Sequence, residues 1–147
     1  MSRNILLSFV FHILILMMTG ILYSMGNHPV LLVVVILLAL IGYITLGYVF
    51  LKPMSSVLTN LLSVSLVSSV GLLIGLYGVI FPGQMGFNWM IFLGYHLYGF
   101  GLAQAFQFDP GPHGTFWFFA LPSLSLWVGL QLKVLGYKSS NSGQISS

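Results

Sequence analysis

Apolar side chains run through 5–25 with no charge, stop at Gly-Asn-His-Pro (26–29), and resume through 30–51. Lys52 and Pro53 end the second run, because proline lacks an N–H and restricts the residue before it. A third run covers 57–80 and ends at the turn-rich stretch 81–88. Two more, 89–108 and 115–134, flank the loop Asp-Pro-Gly-Pro-His-Gly (109–114). A helix needs about 20 apolar residues to cross the hydrocarbon of a bilayer. The many Val and Ile residues do not argue for strands, since lipid forces the backbone to satisfy its own hydrogen bonds. The pattern predicts an all-α integral membrane protein, a compact helical bundle of four transmembrane helices. Segment 89–108 is expected to be a re-entrant or interfacial helix; five transmembrane helices is the alternative. A single domain is expected over 1–136, with a disordered, Ser-rich polar tail over 137–147.

Composition strengthens the membrane reading. The chain is 58% hydrophobic and 3% charged, against about 25% charged in soluble domains. The first run is longer than the apolar core of about 7–15 residues in a cleavable signal peptide, so it is expected to remain as the first helix. Cysteine is absent, which excludes disulfides and thiolate metal sites. The few cations are spread along the chain, so nucleic-acid binding has no support.

The charges, Arg3, Lys52, Asp109, Lys133 and Lys138, serve better as topology markers. Positive side chains prefer the cytoplasmic side. With five crossings, Arg3 and Lys52 face Lys133 and Lys138 across the membrane. If 89–108 does not cross, all four share one side. That segment also carries Gly94, Gly99, Gly101, His96, Gln104 and Gln107, with Trp89, Tyr95 and Tyr98 suited to an interface. The expected location is the cell membrane, multi-pass, with both termini cytoplasmic. The only acidic residue, Asp109, then lies at the wet outer rim. At a helix centre it would cost about 2.5–3.5 kcal/mol.

Two helical faces carry polar or small residues. At 100° per residue, Ser8, His12, Thr19 and Tyr23 fall within about 60° of each other. Such a stripe should face protein, where hydroxyls and imidazole find partners. An intramembrane histidine also raises proton or ligand chemistry, but no acid accompanies it in any span. On the third run, Asn60, Ser68, Gly71, Gly75 and Gly78 form a helix-packing face, with Gly71 and Gly75 spaced as G-x-x-x-G. It is expected to meet the first or second helix, or a second chain. Pro122 is expected to kink the last helix, with Ser123 and Ser125 nearby and Thr115 as its N-cap.

The outer loops offer His28, His96, Asp109 and His113. Imidazole with carboxylate is a metal-ligand set, but the spacing matches no metal or nucleophile motif. No metal, cofactor or catalytic residue is therefore expected. Phe106, Phe108, Phe116, Trp117, Phe118 and Phe119 read as an interfacial belt. There is no inverted repeat to suggest a secondary transporter. The reading that follows is an accessory or interaction subunit of a membrane complex, surrounded by lipid and joined to a membrane-protein partner or to further copies of itself. The alternative is a small oligomeric transporter or channel. An enzyme using the outer-face histidines is the least supported reading.

Overall fold

The computed structural model describes residues 1–26, 28–107 and 109–143, with side chains through 137. The described residues form an all-helical chain. Helix α1 is Ser2–Ser24, α2 Pro29–Phe50, α3 Val57–Leu62, α4 Leu66–Ile80, α5 Phe87–Tyr95, α6 Leu97–Ala105, α7 Pro112–Thr115 and α8 Leu121–Gly143. A short 3₁₀ segment, Phe116–Ala120, joins α7 to α8. Three stretches are long and apolar enough to cross a membrane: Ser2–Ser24, Pro29–Phe50 and Pro112–Tyr137. Phe108 and residues 144–147 lie outside the described residues, and α8 runs to Gly143.

Local chemistry sets the helix ends. Pro29 starts α2, and His28 caps it by accepting from the Val30 N–H at 3.3 Å. Leu51, before Lys52 and Pro53, is already extended. Ser56 and Thr59 make a reciprocal capping box at the start of α3. Pro122 sits in the first turn of α8, where a missing N–H removes no helical hydrogen bond. The expected kink there is instead a change from 3₁₀ to α geometry. Thr115 closes α7, its hydroxyl donating to the Pro110 and Gly111 carbonyls.

The run 57–80 is not one helix. It breaks at 63–65 because Ser123 of α8 inserts into its ladder. The Ser123 hydroxyl donates to the Val64 carbonyl at 2.7 Å and accepts from the Ser68 N–H at 3.2 Å. In a continuous helix those two groups would bond each other. Ser63 and Ser65 also turn their hydroxyls onto carbonyls three residues back. Ser123 thus acts between helices rather than within its own.

The run 89–108 is broken as well, at His96, whose backbone is non-helical (φ −118°, ψ 48°). Its legs form a hairpin. Leg α5 packs antiparallel to α4: Gly71 meets His96, Gly75 meets Phe92, and Gly78 meets Asn88 and Trp89. Leg α6 returns alongside α1, with Leu97 near Gly20 and Gly101 near Tyr23. The indole of Trp89 donates to the Pro110 carbonyl at 2.8 Å, tying the start of the hairpin to the loop that follows it.

The opposite end of the bundle gathers the cations. Arg3 donates to the Phe50 carbonyl at 3.4 Å, and Lys133 to the carbonyls of Val49 at 3.0 Å and Leu51 at 2.9 Å. Buried Asn4 binds both the N–H and the carbonyl of Lys52, and the Ser63 hydroxyl. Helices α2 and α8 run in the same direction and pack closely at Gly47 and Gly129. A side chain at either glycine would strike the partner's backbone, at Leu126 and Ile44 respectively.

Gly129→Leu is therefore expected to lower stability strongly. Gly71→Leu should do so by about 1–3 kcal/mol through overpacking, since an added Cβ would lie 2.6 Å from His96 Nε2. Gly94→Ala, where no atom comes within 4 Å of an added Cβ, should be tolerated. Thermal unfolding in mild detergent measures all three. Equal midpoints for the three variants would contradict this packing.

Candidate functional site

The hairpin apex delivers His96 to the middle of the bundle, against His12 near the centre of α1. Both rings are fully buried, and their centroids are 6.1 Å apart. His12 Nδ1 shares a hydrogen bond with the Tyr43 hydroxyl of α2 at 2.7 Å. His96 Nδ1 bonds the Tyr98 hydroxyl at 3.0 Å, and that hydroxyl donates to the Phe118 carbonyl at 3.3 Å. Tyr95 packs on the His12 ring, centroids 4.4 Å apart, and its hydroxyl donates to the Val67 carbonyl of α4 at 3.1 Å. Tyr23, near the end of α1, donates to the Tyr98 carbonyl at 3.3 Å.

These bonds assign the protons. The Tyr98 proton goes to Phe118, so His96 Nδ1–H must donate to the Tyr98 oxygen. His96 Nε2 is then a bare acceptor, without a hydrogen bond among the described residues and pressed against Gly71. The Tyr43 hydroxyl has no other acceptor among the described residues, so it donates to His12 Nδ1. The His12 proton then sits on Nε2, which lacks a hydrogen bond of regular geometry, while the Tyr95 main-chain carbonyl faces the ring. On this assignment the two imidazoles are opposite tautomers. Together they join α1, α2, α4, both hairpin legs and the 3₁₀ segment.

The other residues of the polar stripe face inward but bond mostly at home. Ser8 and Thr19 are fully buried and donate to the carbonyls of Ile5 and Ile15. Asn4 extends the same face by one turn and makes the strongest cross-helix contacts at its end. As the only amide on that helix it was visible in the sequence, yet it lies outside the apolar run. On the other face, the helix break separates the five small and polar residues. Gly71, Gly75 and Gly78 meet α5 rather than the first or second helix. Asn60 accepts from the Met54 N–H at 2.7 Å, and Ser68 abuts Ser123.

The outer-loop candidates do not converge as a set. His96 is in the buried centre, and His28 is an exposed cap. Asp109 and His113 line one surface cavity of about 440 Å³, walled by Pro82, Met85, Trp89 and Met90. Asp109 folds back to accept from the Gly111 N–H at 2.8 Å. Among the described residues, no three His, Cys, Asp or Glu side chains are placed to hold a metal. The aromatic belt also divides: Trp117 and Phe106 are exposed, Phe118 is fully buried, and Phe116 stacks against Phe92 and Trp89.

No known protein family, curated protein or solved structure matches the chain. The geometry alone carries the functional reading.

Tyr98→Phe should destabilise the protein by about 1–3 kcal/mol, because it orphans the His96 N–H in a buried site, while the Phe118 carbonyl keeps the Leu121 N–H. Asp109→Asn keeps an oxygen for the Gly111 N–H and should change stability by no more than about 0.5 kcal/mol. Unfolding midpoints in detergent test both. A neutral Tyr98→Phe beside a damaging Asp109→Asn would reverse the roles assigned to the centre and the rim.

Proposed function

We propose that this chain is a small multi-pass protein of the cell membrane that serves as an accessory or interaction subunit of a membrane complex. The observation that carries this is the filled centre. Tyr43, Phe92, Tyr98, Phe118, His12 and His96 are all fully buried there, and each of the four polar ones bonds another. A conduit for ions would need a wet path or an intramembrane acid. Here the sole carboxylate lines a cavity at the rim. Use of His96 as an outer-face catalytic group has no support either, since its ring is fully buried.

The same geometry favours four crossings. Helix α4 has 15 residues, about 22 Å, and crosses together with α3. The α5–α6 hairpin is re-entrant, dipping from the outer side to His96 and returning. Arg3, Lys52 and Lys133 then share the inner side, in accord with the preference of cations for the cytoplasm. The exposed apolar surface, including Leu6, Leu14 and Met17 on α1 and Leu73 and Ile80 on α4, faces lipid and the partner.

Two measurements test this reading. Reporters fused at residues 2 and 147 should both register on the cytoplasmic side. Purification of the tagged chain from its native membrane in mild detergent should bring down a stoichiometric membrane protein or a defined homo-oligomer. A monomer that purifies alone and conducts ions or solutes in proteoliposomes would overturn the accessory role in favour of transport.

A further inference from the structure

Four cations scattered along the sequence do not look like a patch, yet folding brings three of them to one place. Arg3 from α1, Lys52 from the α2–α3 loop and Lys133 from α8 line a single cavity of about 280 Å³, together with Phe50, Pro53 and Tyr137. Lys133 and Tyr137 also line an adjoining cavity of about 530 Å³, where Tyr48 forms another wall. The chain's one acid, Asp109, is in the loop at the other end of the bundle. Three positive groups thus converge without an acidic side chain among them.

Helix capping uses only part of their capacity. Arg3 donates to the Phe50 carbonyl and Lys133 to those of Val49 and Leu51, the last carbonyls of α2. A guanidinium has five N–H donors and an ammonium three, so Arg3 keeps most of its donors and Lys133 keeps one for an external acceptor. Lys52 is exposed. The walls beside the charges are apolar and outward-facing: Phe50 is 51% exposed and Tyr137 60%. A cationic cavity opening onto an apolar, lipid-facing wall suits a ligand with a phosphate head and hydrocarbon tails.

We propose that this basic end binds the phosphate of an anionic phospholipid headgroup. Arg3, Lys52 and Lys133 contact the phosphate, and Tyr48, Phe50 and Tyr137 contact the first part of the chains. The site rests on the chain crossing a bilayer and not on the accessory role, so either can fail alone.

The test is the unfolding midpoint of the purified full chain in mild detergent, titrated with phosphatidylglycerol, phosphatidylcholine or inorganic phosphate. Phosphatidylglycerol is expected to raise the midpoint saturably, and the other two to leave it nearly unchanged. Lys52→Gln, which removes no hydrogen bond found in the structure, should weaken the apparent affinity for phosphatidylglycerol about fivefold. Arg3→Gln with Lys52→Gln should weaken it further, and Lys52→Arg should retain it. If the double variant is too unstable to melt cleanly, retention of phosphatidylglycerol through detergent purification, counted by native mass spectrometry, replaces the midpoint. An equal response to phosphatidylcholine, or an unchanged affinity in Lys52→Gln, overturns the site. A full response to inorganic phosphate alone overturns the lipid as its ligand.

Discussion

A helix interrupted within hydrocarbon leaves backbone groups that only protein can satisfy, and much of this structure follows from that constraint. The interruption at His96 is central. It lies between the two legs of the hairpin, level with the middle of α1. The bent backbone there is satisfied locally, its N–H bonding the Phe92 carbonyl and its carbonyl accepting from Gly99 and Phe100, so it is the buried imidazole that needs polar and close-packed surroundings. Tyr98, Tyr43 and His12 supply polarity, and Gly71 supplies room for the imidazole. The Tyr95 hydroxyl reaches the Val67 carbonyl, which lies beside a second interruption, at 63–65. That one is supported in turn by Ser123. The two breaks thus lie close together, bridged by the Tyr95 side chain and its ring contacts with His12 and His96.

Close approach is the other half of the design. Association in lipid gains little from hydrophobic transfer and depends on dispersion contacts and interhelical hydrogen bonds. Glycine serves both. At Gly47 and Gly129 it lets α2 and α8 meet backbone to backbone; at Gly75 and Gly78 it lets α5 settle against α4 with aromatic rings of Phe92 and Phe116 filling the gap. The charged ends add orientation: cations cap the carbonyls that end α2, while the carboxylate caps a turn in the opposite loop.

The sequence made the apolar runs, the inward stripe of α1 and the close-packing role of Gly71, Gly75 and Gly78 legible, because each follows from local composition and a 3.6-residue period. It also suggested that 89–108 was unlike the other runs, through its glycines and His96. The partner of each face was not legible. Gly71 meets α5 because the hairpin turns at His96, and nothing local marks that turn. The break at 63–65 depends on Ser123, which is distant in sequence, so 57–80 read as one continuous helix. The convergence of Arg3, Lys52 and Lys133 likewise depends on tertiary arrangement. His96 reads as an outer histidine only if 89–108 lies along the interface; the bent apex carries it to the centre instead.

The hairpin's two ends decide whether this account holds. The chain has no cysteine, so single cysteines placed at Gln84 and Gln107 can be labelled without background. Both positions are exposed and flank the hairpin. With a membrane-impermeant maleimide applied to intact cells, both are expected to react from outside, at similar rates. Reaction of one from outside and of the other only after the cells are opened would show that 89–108 crosses the membrane, and would contradict a buried apex at His96.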